Sequence, residues 1–348
     1  MSNSLDKFLF CDKVYCLFDL AYNNIYLLQM REKISVIIPT IEKDLEIVEG
    51  ALKSVQWADE ILIVDSSFSK KVETMASKWG ARYFSHEYVY SAKQKNWVIP
   101  KAKHNWIFLI DSDEVVTIKL QKNIRKMLKS NEINDYEGYG IARKHFFFGK
   151  FLRWGGRYPL YNVRLFKKSS RYEDRDVHAH IILDKKKVLN IEPKNGGDML
   201  HFSDRNFDEF FERFNRYSDY QANYMRKINE KGIEIEWLRF FADYYYFKAA
   251  VKDFWFFIPG SSLFRFLWMY IFKLGFLDGK YGFMIAFFYS FQDYISKVKF
   301  KEIYKIESRF SSRISDYIMR KFVPFLINNK KMNENYTSSY DNCFNVVK

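Results

Sequence analysis

"WIFLIDSDEVV", residues 106–116, places two carboxylates one residue apart at the end of an apolar run. Trp106–Ile110 has the length and β-rich composition of a buried strand. A strand buried on both faces does not end in Asp111 and Asp113 unless something compensates the charges. Upstream, "KISVIIP" (33–39) and "EILIVD" (60–65) repeat the pattern, the second ending in Asp65. Between them, Leu45, Val48, Leu52 and Val55 fall at helical spacing across 44–57. Helices are predicted over 69–79, 91–102 and 117–129, and a further strand over 81–87. Strands alternating with helices imply right-handed βαβ units and a mainly parallel α/β sheet with helices on both faces. Ligands of such sheets sit beyond the carboxyl ends of the strands. Pro39, Thr40, Asp65, Asp111 and Asp113 all fall at that edge, so one shared site is predicted.

The 348 residues carry a formal charge of +14 and a pI near 9.3, which suggests an anionic partner. Three cysteines, Cys11, Cys16 and Cys343, have neither metal-type spacing nor a disulfide framework. Aromatic residues make up 20% of the chain, more than an ordinary core requires. They saturate 237–300, yet no uncharged stretch reaches the roughly 18 residues of a spanning helix. From Lys297 to Lys321 there are eight Lys/Arg against three Asp/Glu. Trp, Tyr and Phe flanked by cations fit interfacial helices at an anionic membrane surface. A soluble helical subdomain is the competing reading. Nucleic acid is not an expected partner, because the basic excess lies beside the aromatic block and no binding motif accompanies it.

An Asp-x-Asp at a strand end suits a hard divalent cation shared with a diphosphate, although a helix-capping turn has the same spelling. Its company adds meaning. "SVIIPT" (35–40), "WADEILIVDSSFS" (57–69), "SAKQKNWVIPKAKHNWIFLIDSDEVV" (91–116), "GGRYPLYNVRLFKK" (155–168) and "VHAH" (177–180) occur in the order seen in family 2 glycosyltransferases. The sequence resembles the branch that builds lipopolysaccharide core, capsule and exopolysaccharide, over roughly 33–205 and more weakly over 265–283.

The resemblance implies a GT-A fold, a Rossmann-like nucleotide half fused to an acceptor half. It also implies inverting, metal-dependent transfer from a nucleotide-diphosphate sugar, UDP first among donors, to a lipid-linked or cell-envelope saccharide. Pro39, Thr40 and Asp65 would line the nucleoside pocket, and Gln94 and Lys95 would face the nucleotide or its phosphates. Asp111 would touch the ribose or the metal, and Asp113 would ligate Mg2+ or Mn2+ directly. Arg164 would face the diphosphate or acceptor, or else serve as a buried salt-bridge partner. His201 would stand near the metal or diphosphate, or be structural.

The general base is expected within "YEDRDVHAH" (172–180), Asp174 first and Asp176 second, with His178 organising the acceptor side or contacting phosphate. A charged surface loop pairing those acids with Arg171 and Arg175 is the alternative. Two positions depart from the family pattern: Ala179 replaces a common Glu, and Glu42-Lys43 replaces Asn-Glu. A sugar-nucleotidyltransferase would need a Gly-rich basic loop after the first strand, which "PTIEKDLEI" lacks. A non-enzymatic membrane scaffold would leave the strand-end acids unexplained.

The expected organisation is an N-terminal extension (1–31) and a GT-A domain (32–229), with nucleotide half 32–116 and acceptor half 117–229. An amphipathic membrane-associating region (230–330) and a disordered tail (331–348) follow. No cleaved signal peptide is expected, and the predicted location is peripheral, at the cytoplasmic face of the inner or plasma membrane.

Overall fold

The structure is a computed structural model that describes residues 31–174, 179–231, 251, 255 and 257–303. The tail, and all of the N-terminal extension except Arg31, lie outside the described residues, as does much of 230–256 and 304–330. The chain divides into two compact units. Unit 1 comprises residues 1–142 and 161–199, and unit 2 comprises 143–160 and 200–348.

Unit 1 is built on β1 (Ile34–Thr40), β2 (Glu60–Asp65), β3 (Arg82–Ser85) and β4 (Trp106–Leu109). The strands stand in the order β3-β2-β1-β4 and all four are parallel. After the short β5 (Glu114–Val116) come β6 (Gly138–Phe147), whose first five residues belong to unit 1, and β8 (Tyr161–Lys167). The intervening β7 (Lys150–Phe151) belongs to unit 2. β8 runs antiparallel to both β4 and β6, and β9 (Val188–Ile191) runs parallel beside β6. The sheet is therefore mixed: parallel on the side that carries β1 to β4, antiparallel where β8 enters.

The continuous apolar runs of the strands follow from helices covering both faces. Val36, Ile38, Ile61, Ile63, Trp106 and Phe108 point to one face. There they meet α1 (Leu45–Ser54), α2 (Lys70–Lys78) and α4 (Ile118–Ser130), through Val48, Leu52, Val72, Leu120 and Ile124. The alternate residues Ile37, Leu62, Val64, Ile107 and Leu109 meet Ala92 and Val98 of α3 (Ser91–Val98) on the other. Each fully buried aliphatic side chain contributes roughly 1.5–3 kcal/mol, so a one-residue slip of register would forfeit both layers. Ser69 caps α2 by accepting from the Lys71 N–H, and Thr117 caps α4 by accepting from Leu120.

Unit 2 takes the far end of β6, β7, most of β10 (Asp198–Asp204), α5 (Phe207–Lys231), α6 (Ser261–Leu267) and α7 (Gly279–Ile303). Its core is aromatic: Phe147, Phe148, Leu152, Phe210 and Phe214 pack with Ile285, Phe288 and Ile295. Part of the aromatic excess is thus core packing. A π-helical turn, Trp268–Phe272, prolongs α6. Gly275 and Gly282 then meet so closely that a Cβ on Gly282 would lie 1.8 Å from the Gly275 carbonyl oxygen. Asp278 accepts from the backbone N–H groups of Arg153 (3.3 Å) and Trp154 (2.8 Å), fixing the turn that leads into Gly155-Gly156. Among the described residues no helix is long and apolar enough to cross a membrane.

Candidate functional site

The strand ends of unit 1 converge as the alternation requires. Thr40 is paired with Asp65 across β1 and β2, and Ile110 continues β4 by donating its N–H to the Ile37 carbonyl (3.1 Å). Asp111, Ser112 and Asp113 follow at once, each partly exposed.

Asp65 is fully buried and saturated. Oδ1 accepts from the Ser67 N–H (2.8 Å) and hydroxyl (2.5 Å), and Oδ2 from the Ser69 N–H (2.7 Å) and Tyr83 hydroxyl (3.0 Å). Four donors fill the acceptor capacity of one carboxylate. In this structure Asp65 therefore shapes the 66–69 loop, which closes the sheet edge. Burial first, then the Asp65 hydrogen bond, pushes the Tyr83 phenol up to about 12, so it remains a donor.

Around Asp111 the charges form a network. Arg164, on β8 and nearly fully buried, donates through Nη2 to Asp111 and to Glu114 Oε1 (2.6 Å). Glu114 also accepts from the Asp111 N–H (2.9 Å), and Lys95 Nζ stands 3.5 Å from Asp111 Oδ1. Burial opposes the Arg164 charge. The adjacent Asp111 and Glu114 outweigh that and hold its pKa above the ordinary arginine value. Of the two alternatives for Arg164, the geometry displays the buried salt-bridge partner. Ser112 Oγ donates to Asp44 Oδ2 (3.0 Å), anchoring the strand-end turn to the start of α1.

Three consecutive residues of α3 reach three different segments. Gln94 Nε2 donates to Ser66 Oγ (2.5 Å) in the loop after β2. Lys95 faces Asp111 and lies 5.4 Å from the centre of the Tyr172 ring. Asn96 donates to the Tyr172 carbonyl (3.0 Å) and accepts from the Tyr172 N–H (2.8 Å). Tyr172 pairs with Ile181 in an antiparallel bridge, and Glu173 N–H donates to the His180 carbonyl (2.9 Å). Asp174 is exposed and accepts from the Tyr90 hydroxyl. Asp176 and His178 lie outside the described residues.

Unit 1 thus gathers Pro39, Thr40, Asp65, Gln94, Lys95, Asp111, Asp113, Arg164 and Asp174. His201 belongs to unit 2, where its Nδ1 is 3.4 Å from His145 Nδ1. His145 is buried with Nε2 2.6 Å from Asp204 Oδ2; burial dominates and pushes it down to about 4, so it is neutral at pH 7.

Sequence reasoning missed Glu114, Asn96 and Tyr90. Glu114 carried no signal in the sequence, since only the path of β8 brings Arg164 to it.

Asp111 and Asp113 offer oxygen donors only, the type a hard divalent cation takes. Among the described residues, no group of three or more His, Cys, Asp or Glu side chains is arranged to hold a metal ion. Two carboxylates fit a cation that completes its shell with diphosphate oxygens and water. Asp111 is engaged by Arg164 and Lys95.

In a parallel α/β sheet, the edge beyond the strands where these carboxylates and cations gather is the place where ligands bind. Residues 35–190 match the family described as Glycosyl transferase family 2. The chain carries a family 2 glycosyltransferase domain over that range and is a glycosyltransferase. It is 23% identical over 291 residues to an uncharacterised glycosyltransferase of Rickettsia bellii strain RML369-C, covering 79% of this chain and 88% of the relative. It is 24% identical over 179 residues to the lipopolysaccharide core biosynthesis glycosyltransferase LpsC of Rhizobium meliloti strain 1021. That match covers 49% of this chain and 64% of LpsC. Among solved structures, S. aureus TarS 1-349 aligns at a TM-score of 0.35 and 11% identity, over 75% of this chain and 91% of that fragment. At that score the likeness carries no further argument.

Proposed function

We propose that this glycosyltransferase is inverting and metal-dependent. It moves a sugar from a nucleotide-diphosphate donor, with UDP the first choice, to a lipid-linked or cell-envelope saccharide. The observation that carries the reading is the strand-end cluster of Asp111, Asp113, Lys95 and Arg164. It combines carboxylates for a divalent cation with Lys95 as the cation for a diphosphate, while Arg164 holds Asp111 in place.

The acceptor hydroxyl attacks the anomeric carbon from the face opposite the diphosphate, a new C–O bond forming as the bond to the diphosphate breaks. Asp174, or Asp176 in its place, takes the hydroxyl proton. Lys95 supplies positive charge where negative charge grows on the leaving group, the largest electrostatic demand of such a step. Mg2+ or Mn2+, bound through Asp113 with Asp111 beside it, would add charge stabilisation for the departing diphosphate. Likeness to LpsC supports an envelope saccharide as acceptor. An acceptor of that class is reached from the cytoplasmic face of the inner or plasma membrane, where we place the protein as a peripheral enzyme.

The test is a screen of UDP-, GDP- and dTDP-sugars for hydrolysis and thermal stabilisation, with and without Mn2+ or Mg2+. One nucleotide acting only in the presence of metal is the expected result. Stabilisation that ignores metal would overturn the metal dependence, and no response to any nucleotide sugar would overturn the donor class.

A further inference from the structure

Unit 2 turns an apolar helix face outward. Along α6 and its π-helical continuation, Ser261 and Met269 are buried and Phe266 and Tyr270 pack against Phe283. The outward side carries Leu263, Phe264, Trp268, Ile271 and Phe272, with Leu263 at 64% and Phe272 at 63% relative exposure. Leu274, Phe276 and Leu277 extend the exposed set through the following turn. These residues form a continuous surface: Phe264 and Trp268 stack with ring centres 6.3 Å apart, and Trp268 meets Phe272 at 5.8 Å. A surface helix ordinarily presents its polar face to water. Single exposed apolar residues need no explanation, whereas a contiguous aromatic patch marks an interaction site.

The charges around the patch select its partner. Arg265 turns inward to Asp293 (2.5 Å), and Asp278 is engaged by backbone N–H groups. The cations at the rim are Lys273, 5.2 Å from the Trp268 ring centre, and Lys280, 5.2 Å from that of Tyr281. Over 257–303 there are six Lys/Arg against three Asp/Glu. Trp and Phe with lysines at their margin are matched by a headgroup boundary, where rings enter the acyl edge and ammonium groups meet lipid phosphates.

We propose that the outward face from Leu263 to Leu277, rimmed by Lys273 and Lys280, docks on an anionic lipid bilayer. It lies in the surface plane without spanning. The inference gives residues to the peripheral location proposed above and rests on that reading. Chemistry in unit 1 does not depend on it.

The experiment is co-flotation of the full chain with vesicles of phosphatidylcholine alone or of phosphatidylcholine with phosphatidylglycerol. The variants are Phe264→Ser/Trp268→Ser/Phe272→Ser and, separately, Lys273→Glu/Lys280→Glu. Wild type is expected to float with the anionic vesicles. The aromatic variant should lose roughly 100-fold in partitioning, the order expected for removing three half-exposed rings. The lysine variant should lose about tenfold, mostly on the anionic vesicles. Circular dichroism and nucleotide-sugar hydrolysis by the same samples should be unchanged, which separates failure of docking from failure of the proposed reaction. Folded wild type left in the soluble fraction overturns the proposal. So does a dimer that the aromatic variant abolishes without any effect on vesicles, since the face would then serve a second copy.

Discussion

Arg164 Nη2 bridges Asp111 and Glu114, and Glu114 has no solvent exposure at all. One arginine therefore ties β8 to both ends of the strand-end turn that carries Asp113. Arg164 and Glu114 are shut off from water while Asp111 is partly exposed, so the two buried charges depend on each other. Replacing one member of such a buried set leaves an uncompensated charge and costs about 3–5 kcal/mol. Arg164→Met and Glu114→Gln are each expected to destabilise by about 3 kcal/mol in urea denaturation. The double variant should cost well below the sum, because each change relieves the charge the other strands. Additive losses would show that the pair does not act as a unit.

Asp113, partly exposed, is the residue proposed for direct metal ligation. Asp113→Asn keeps the size of the side chain and removes its charge. Sugar transfer should fall by at least about 10³-fold, the order seen when a principal electrostatic element is lost. The metal-dependent stabilisation by nucleotide should disappear as well. Undiminished turnover would rule out Asp113 as the ligand.

The double hydrogen bond between Asn96 and the Tyr172 backbone sets the height of the segment that bears Asp174. Asn96 is therefore a positioning residue. Asn96→Ala should lower kcat for transfer about tenfold, since displacement of a reacting group by an ångström has effects of that order or larger. The KM for the nucleotide sugar should stay within about twofold. Asn96→Asp retains an acceptor for the Tyr172 N–H and should recover part of the loss. A change confined to KM would place Asn96 in donor binding instead.

Much of this was legible in the sequence because burial on two faces leaves a strong one-dimensional trace. The strands predicted over 33–39, 60–65 and 106–110 appear at 34–40, 60–65 and 106–109, and the helix predicted over 117–129 runs from 118 to 130. The acids at the strand ends stood out because apolar runs do not end in charge without cause. What stayed hidden is three-dimensional pairing. Glu114 opens "EVV" and reads as an ordinary strand residue, and only the path of β8 brings Arg164 to it. Asp65 stood out as a strand-end acid, but its four donors come from a loop and from Tyr83, which no periodicity encodes. The split of the aromatic residues between a core around Phe210 and Phe288 and an exposed face around Trp268 was invisible for the same reason.

Glu60 offers a pH test away from the site. Burial alone would raise its pKa. Hydrogen bonds from Ser35 Oγ (2.6 Å) and the Lys103 N–H (2.7 Å), with the Arg82 guanidinium, outweigh burial and hold it below its ordinary 4.5. A depressed folded-state pKa means that the unfolded chain takes up the proton first on acidification. Its stabilisation is complete above about pH 4.5 and fades as pH falls through the folded value. Glu60→Gln should cost roughly 1–2 kcal/mol at pH 7, typical of charged hydrogen bonds. Urea denaturation should show that gap narrowing below pH 4.5. A gap independent of pH would mean that packing, not charge, accounts for the loss.

The contact between Gly275 and Gly282 gives the sharpest packing test in unit 2. A Cβ on Gly282 would lie 1.8 Å from the Gly275 carbonyl oxygen and 2.9 Å from its carbon, and both are backbone atoms that no rotamer can move aside. Relief requires α7 to shift against the turn before it, where Asp278 holds the backbone of Arg153 and Trp154. Gly282→Ala is expected to destabilise unit 2 by about 3 kcal/mol, at the upper end of overpacking costs. Gly260→Ala meets nothing within 4 Å but sits at φ +75°, and should cost only about 1 kcal/mol from its left-handed backbone. Thermal or urea unfolding followed by the aromatic signal of unit 2 compares the two directly. Equal effects would mean that backbone conformation, and not the close approach, is what requires glycine at 282.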